Sequence, residues 1–123
     1  MPTLKANDVE LFYTEQGTGA ETIVFGHGLL MDTTMWDLVA PQFADNYRVI
    51  CFDFRGQGQS QDPGKAYDID NLVKDTAALI RSLCTQPVHY VGLSMGGMVG
   101  MPLAARHPDL LSSLILLDTS AQA

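Results

Sequence analysis

The sequence has few basic residues, few cysteines and no long hydrophobic run. Seven Lys and Arg against 14 Asp and Glu give the 123 residues a formal net charge of −7, which argues against a nucleic-acid-binding surface. No apolar run reaches the roughly 18 residues of a membrane span, and no hydrophobic signal segment follows the first residues. We therefore expect a cytoplasmic protein that binds neither nucleic acid nor membrane.

Cysteine and histidine are also too sparse for a disulfide framework or a metal site. The two cysteines, Cys51 and Cys84, lack metal-ligand spacing, and the three histidines share no such spacing either. We interpret both cysteines as free buried thiols, because unpaired cysteine is most often buried. Walker-type phosphate loops are absent as well. We expect no metal and no cofactor.

Apolar stretches of strand length alternate with helical patterns along the chain. Residues 4–6 and 9–13 predict a β-hairpin around Asn7-Asp8, a pair that tolerates the left-handed backbone of a hairpin turn. Further strands are predicted at 22–25, 48–52, 88–91 and 111–117. Helices are predicted at 33–43, capped by Thr33 or Thr34, at 69–83, capped by Asp68, and at 95–106. This order predicts a hairpin followed by a mostly parallel, doubly wound α/β sheet.

One segment, Gly92-Leu93-Ser94-Met95-Gly96, stands between a predicted strand and a predicted helix. A serine on such a sharp bend is held out into solvent, and glycines two places before and after it allow the chain to turn so tightly. The helix that begins at Met95 directs its dipole and its first N–H groups toward the Ser94 hydroxyl. We expect Ser94 to be a nucleophile and the Met95 N–H to be one donor of an oxyanion hole.

A second motif, Phe25-Gly26-His27-Gly28-Leu29, ends the strand expected beside this bend. Its position predicts that the Leu29 N–H is the second oxyanion donor, with His27 and Gly28 in supporting roles. Histidine titrates near neutrality, so His27 is also a candidate base. A base must lie within hydrogen-bond reach of Ser94, however. We therefore favour a structural role for His27, in which it braces the oxyanion loop.

These motifs resemble those of the α/β-hydrolase fold, in the branch of small esterases, enol-lactonases and cofactor-free haloperoxidases. The matching residues are His27-Gly28, the run Asp53-Phe54-Arg55-Gly56-Gln57-Gly58-Gln59-Ser60, the bend with Gly97, and Arg106-His107-Pro108. In this family haloalkane dehalogenases and epoxide hydrolases carry aspartate in place of the serine. The resemblance therefore implies that Ser94 serves ester, thioester, lactone or perhaloacid chemistry on a small-molecule substrate.

The sequence departs from the family pattern, in which the triad order is serine, acid, histidine. His107 lies at the far end of the helix that begins beside Ser94, roughly 18–20 Å away at 1.5 Å per residue, and His89 lies within a strand. We expect the catalytic histidine to be missing from this chain and hold Asp118, after the last strand, as a candidate acid. We interpret residues 1–123 as the N-terminal part of a single α/β-hydrolase domain, through the strand after the bend, with the lid, the following strands and the C-terminal helix absent.

Two other functions stay open. In the first, the chain is a catalytically inactive hydrolase-derived fragment or a binding and assembly module. Whether the chain is an enzyme part or such a module, its last predicted strand, residues 111–117, has an open edge. We expect the missing C-terminal half or a second copy of the chain to cover that edge. In the second, Gly26-His27-Gly28 and Asp53 belong to a dinucleotide-binding fold, although Met31 occupies the third glycine position. The full-length protein is the expected enzyme, and the 123-residue chain alone is expected to be inactive.

Overall fold

The computed structural model describes residues 2–64 and 68–121. Its strands are β1 (Thr3–Ala6), β2 (Val9–Gln16), β3 (Glu21–Gly26), β4 (Tyr47–Phe52), β5 (Val88–Leu93) and β6 (Leu111–Leu117). Its helices are α1 (Ala40–Phe43), α2 (Ile69–Leu83) and α3 (Met95–Arg106), with 3-10 turns at Thr33–Trp36 and Pro108–Leu110. None of the helices in these two segments is long and apolar enough to cross a membrane.

The six strands form one sheet in the order β1-β2-β4-β3-β5-β6. β1 and β2 form the expected antiparallel hairpin, with Asn7 in the left-handed region at φ 62°. β4, β3, β5 and β6 are parallel to one another, and β2 joins β4 in the antiparallel direction. β3 lies between two parallel neighbours, which accounts for its continuous apolar run. The predicted hairpin and mostly parallel α/β sheet are confirmed.

The prediction of one helix over residues 33–43 is wrong about the capping residue and about the helix being continuous. Asp32 caps the first turn in place of Thr33 or Thr34, because its Oδ1 accepts the Thr34 N–H at 2.9 Å. The segment then divides into a 3-10 turn and the separate helix α1. Pro41 explains the division, since proline has no N–H with which to continue a helix and is tolerated only in a first turn.

Apolar side chains pack on both sides of the sheet. α2 begins where expected, with the Asp68 carboxylate accepting the Asn71 N–H at 2.8 Å, and packs with α3 over one side. The core on that side includes Leu11, Ile50, Phe52, Leu72, Ile80, Tyr90, Val99 and Leu103. A smaller core on the other side comprises Ile23, Phe25, Trp36, Ala40, Val49, Cys51 and Val91.

Both cysteines are free thiols, but only one of them is buried. Cys51 lies in the smaller core, and burial raises the pKa of its thiol to about 12. Cys84, which we expected to be buried, is only partly covered. It follows the last residue of α2, and its Sγ lies 3.8 Å from Nη1 of the partly exposed Arg48.

A buried ion pair joins the loop after β4 to α2. Arg55 and Asp75 are each almost fully buried, and Arg55 Nε and Nη2 donate to the two Asp75 oxygens at 2.6 and 2.8 Å. Nη2 also donates to the half-exposed Asp8 at 2.8 Å. Hydrogen bonding to Asp75 raises the pKa of Arg55 further above its usual range, so the guanidinium stays charged inside the protein. The pair fixes this loop against the helix.

Asp75→Ala is expected to lower the free energy of unfolding of the complete protein by about 3–5 kcal/mol, because it leaves the Arg55 charge buried beside only one carboxylate. Asp70→Ala is the matched control. Asp70 lies on the same helix and also pairs with an arginine, Arg106, at 2.8 Å, but that pair is exposed, so its loss is expected to cost about 1 kcal/mol or less. Urea denaturation measures both variants. Equal losses would contradict this account.

Candidate active site at the bend between β5 and α3

Ser94 lies between the last residue of β5 and the first residue of α3, in a strained conformation with φ 52° and ψ −112°. The space around the bend admits only glycine at two positions. A Cβ on Gly92 would lie 2.4 Å from the Gly96 carbonyl oxygen, and a Cβ on Gly96 would lie 2.2 Å from the Gly26 oxygen. The α3 backbone therefore packs directly against the end of β3, and the chain reverses sharply at Ser94.

The backbone of Ser94 is held from the end of β6. The Ser94 N–H donates to the Leu117 carbonyl at 2.9 Å, and the Thr119 hydroxyl donates to the Ser94 carbonyl at 2.6 Å. Thr119 lies so close to α3 that a Cβ on Gly97 would come within 2.6 Å of it. Thr119 was not predicted from the sequence. Thr119 could have been found because the carboxyl ends of parallel strands meet at one edge of a sheet, and Thr119 follows such an end.

The loop after β3 lies beside Ser94. A Cβ on Gly28 would be 3.6 Å from the Ser94 Cβ, an ordinary van der Waals distance, so the loop is in contact with the serine. Gly28 then begins a four-residue turn in which the Met31 N–H donates to the Gly28 carbonyl at 3.1 Å. The side chains of Leu29, Leu30 and Met31 are 54%, 87% and 45% exposed. The loop therefore presents apolar side chains to solvent next to the candidate nucleophile.

His27 is fully buried, and both of its ring nitrogens bond to the backbone. The Phe54 N–H donates to Nε2 at 3.0 Å, so Nδ1 carries the proton and donates to the Gly28 carbonyl at 2.6 Å. Burial lowers the pKa of His27, which favours this neutral form. Because the C=O and N–H of a trans peptide point in opposite directions, holding the Gly28 carbonyl also sets the direction of the Leu29 N–H. This geometry supports the bracing role of His27.

The Asp53 carboxylate ties the loop after β4 to the turn at Thr33. Its Oδ1 accepts the Thr33 N–H and its Oδ2 accepts the Gln59 N–H, each at 2.8 Å. Burial raises the pKa of Asp53, and the two N–H donors oppose that rise. Both carboxylate oxygens are thus bonded to backbone N–H groups. The dinucleotide alternative, which assigned Asp53 to a ribose, loses its acid here.

The other two histidines lie away from the bend. His89 Nδ1 is 2.7 Å from Ser113 Oγ, and its Nε2 is 2.8 Å from Glu21 Oε1. His107 follows the last residue of α3, where its Nδ1 accepts from Arg81 at 3.2 Å. Within residues 2–64 and 68–121, no three His, Cys, Asp or Glu side chains are grouped so that they could share a metal ion.

Asp118 is an exposed residue that follows β6 directly, with φ 47°. Its two sequence neighbours, Leu117 and Thr119, both bond to the Ser94 backbone. The structure therefore brings the Asp118 backbone to the bend, together with Gly28 and the first turn of α3.

Comparison with known proteins agrees with this arrangement. A family model described as alpha/beta hydrolase fold matches residues 21–123. The chain belongs to the α/β-hydrolase fold family. It is similar to 3-oxoadipate enol-lactonase 2 of Acinetobacter baylyi, with 36% identity over 121 residues that cover 98% of this chain and 45% of that protein. It is also 36% identical to a fluoroacetate dehalogenase of a Burkholderia species, over 90% of this chain and 38% of that one.

The crystal structure of the enol-lactonase from Burkholderia xenovorans LB400 superimposes on this α/β-hydrolase chain with a TM-score of 0.93 and 35% identity. The match covers 98% of this chain and 47% of that structure. The chain thus spans less than half the length of the relatives named here. The resemblance to the α/β-hydrolase fold is confirmed, and the fold present is incomplete relative to these proteins.

The lowered pKa of His27 predicts that the protein loses stability in mild acid. The unfolded chain takes up a proton on this histidine near pH 6.5, whereas the folded protein does so only at lower pH. Neutral His27 therefore makes its full contribution to the free energy of unfolding above about pH 6.5. This contribution falls as the pH drops toward the pKa of His27 in the folded protein. The raised pKa of Asp53 has the opposite effect on stability, which rises as the pH falls through that pKa.

The measurement is the free energy of unfolding of the complete protein at about pH 7.5 and about pH 5.5, for the parent sequence and for His27→Asn. The parent is expected to lose more stability than the variant over this interval. An equal loss in the two proteins would contradict a neutral, buried His27.

Proposed function

We propose that the complete protein is a serine hydrolase in which the Ser94 hydroxyl attacks the acyl carbon of an ester, thioester or lactone. The single observation that carries this proposal is the bend itself. Ser94 occupies a strained backbone conformation between a buried strand and a helix, and glycine is required on both sides of it. A bend that served only to connect strand and helix has no need of such strain. Strain of this kind is typical of functional sites.

Two backbone N–H groups are assigned to the developing oxyanion. The Met95 N–H belongs to the first residue of α3, where the helix dipole favours negative charge. The Leu29 N–H lies on the neighbouring loop, on the peptide whose carbonyl is held by His27. Gly28, the residue before Leu29, lies beside Ser94, so both donors belong to segments next to the serine. Fixed donors of this kind stabilise the tetrahedral intermediate more than the substrate.

Proton transfer requires a histidine that this chain does not place at Ser94. His27 is committed to the backbone, and His89 and His107 bond elsewhere. We assign the base to polypeptide of the complete protein outside this sequence, and retain Asp118 as the candidate acid because its neighbours bond to Ser94. The base takes the Ser94 proton during attack and returns it to the leaving group. The isolated 123-residue chain is accordingly proposed to be inactive.

The substrate class follows from the nucleophile and from the surroundings of Ser94. A serine forms an acyl-enzyme, which suits carboxylic esters, thioesters and lactones. Among similar proteins are a 3-oxoadipate enol-lactonase and an enzyme described as degrading N-acyl homoserine lactones, the latter 30% identical. The exposed apolar side chains of Leu29 and Met31 belong to the loop whose Gly28 lies beside Ser94. A small ester or lactone with an apolar part beside the acyl carbon fits this surface.

Ser94→Ala in the complete protein is expected to lower kcat by about 10⁶-fold, because removing the nucleophile of a triad abolishes the acyl-enzyme route. Hydrolysis of a panel of p-nitrophenyl esters and lactones measures the loss. Ser112→Ala is the matched control, since Ser112 is exposed near the opposite end of β6, and its activity is expected to equal that of the parent. Retention of more than about one part in a thousand of kcat by Ser94→Ala would contradict the proposal.

An exposed apolar groove on the side of the sheet that carries Trp36 supports a further part of the proposal. The groove measures about 360 Å³ and runs between Val39 and Phe43, at the two ends of α1, and Ile115 and Leu117 of β6. These four side chains are 38–47% exposed. In the described part of the chain, β6 pairs only with β5 and so has an open edge. We propose that the remaining half of the hydrolase domain covers this groove and edge.

The isolated 123-residue chain is therefore expected to associate or aggregate in solution, because an open apolar strand edge pairs readily with another chain. Sedimentation velocity is the measurement. A monodisperse, cooperatively melting species of 13.4 kDa would contradict the assignment of a covering half.

A further inference from the structure

The turn beside Ser94 contains a leucine in a conformation that leucine disfavours. Leu30 has φ 62°, at the third position of the turn closed by the Met31 N–H and the Gly28 carbonyl. A positive φ at that position is the mark of a type II turn, in which glycine is the usual residue. The Leu30 side chain is 87% exposed, so packing of the side chain does not hold the backbone in this form. Another interaction must do so.

That interaction comes from the loop after β4. The side chain of Gln57, which is nearly buried, accepts the Leu30 N–H on its Oε1 at 2.6 Å. This N–H belongs to the central peptide of the turn, the group that rotates by half a turn when a type II turn changes to type I. Accepting it fixes the orientation of that peptide. The flip to an ordinary right-handed Leu30 would break the bond.

Gln57 is itself firmly placed. Its backbone N–H donates to the Phe54 carbonyl and its carbonyl accepts the Ser60 N–H, each at 3.0 Å. The Ser60 hydroxyl bonds to the Asp53 carbonyl at 2.6 Å, and the Asp53 carboxylate holds the Gln59 N–H. The glutamine thus extends from a rigid loop to a strained one, across 27 positions in the sequence.

We propose that Gln57 is a positioning residue for the oxyanion hole: by holding the central peptide of the Gly28–Met31 turn it fixes the ψ angle of Leu29 and keeps the turn that carries the Leu29 N–H in one form. The inference rests on the proposed function. His27 fixes the first peptide of the turn through the Gly28 carbonyl, and Gln57 fixes the second through the Leu30 N–H. Without Gln57 the turn exchanges between the type II form and the type I form, in which Leu30 is right-handed. Turnover then falls in proportion to the competent fraction.

The test uses the complete protein and the variant Gln57→Met, which keeps the length of the side chain and removes the acceptor. The cost of a left-handed leucine implies that kcat falls about 5- to 30-fold, with KM changed by less. Leu30→Gly in the Gln57→Met background is expected to restore most of kcat, because glycine adopts the left-handed form without cost. A general loss of structure would not be rescued by this second substitution.

Hydrogen exchange of the Leu30 amide, followed by NMR, provides a readout that needs no substrate. This amide is expected to be protected in the parent and to exchange at least about tenfold faster in Gln57→Met. Gln61→Met is the matched control. Gln61 lies in the same loop and accepts the Glu10 N–H through its own Oε1 at 3.0 Å, so its loss is expected to leave kcat and Leu30 exchange unchanged.

Unchanged exchange of Leu30 in Gln57→Met would overturn the proposal, and so would faster exchange with unchanged kcat. An equal fall of kcat in Gln61→Met would overturn it as well, because the effect would then belong to the loop as a whole. Failure of the proposed function is seen separately, as turnover that survives Ser94→Ala, and the exchange measurement reports on the turn in either case.

Discussion

The direct contact between the backbone of α3 and the end of β3 is the constraint on which the site depends. A single methyl group on Gly96 would lie 2.2 Å from the Gly26 carbonyl oxygen, so helix and strand meet with no side chain between them. That contact forces the chain to reverse at Ser94 and gives the serine its left-handed φ of 52°. It also places the loop that follows Gly26 beside the same serine. The candidate nucleophile and the loop proposed to carry an oxyanion donor are brought together by one packing contact.

The loop beside Ser94 is exposed, yet its conformation is set from within the protein. His27 and Gln57 are both buried, and each bonds to a different peptide of the turn that begins at Gly28. Gln57 in turn belongs to a loop fixed by the Asp53 carboxylate and by the Arg55–Asp75 ion pair. The donors of an oxyanion hole act well only when they need no reorganisation during the reaction. Buried polar networks of this kind supply that rigidity.

Local signals in the sequence predict most of this architecture. The bend at Ser94, the hairpin at Asn7 and the Asp68 cap each depend on residues within five positions of one another, so spacing alone identifies them. The contributions of Thr119 and Gln57 were not predicted, because each acts across 25 or more positions through a bond to backbone. The division of the segment at 33–43 was missed although its cause, Pro41, is local. The relatives of this chain are more than twice its length, and the base that we propose for Ser94 lies outside these residues.

Covalent labelling of the complete protein with a fluorophosphonate, followed by peptide mass spectrometry, shows whether Ser94 is an activated nucleophile. We expect stoichiometric label on Ser94. We also expect that Leu29→Pro slows the labelling by about 10²- to 10³-fold, because proline suits the second position of a type II turn but removes the N–H assigned to the oxyanion. Label on another residue, no label, or an unchanged rate in Leu29→Pro would contradict the account.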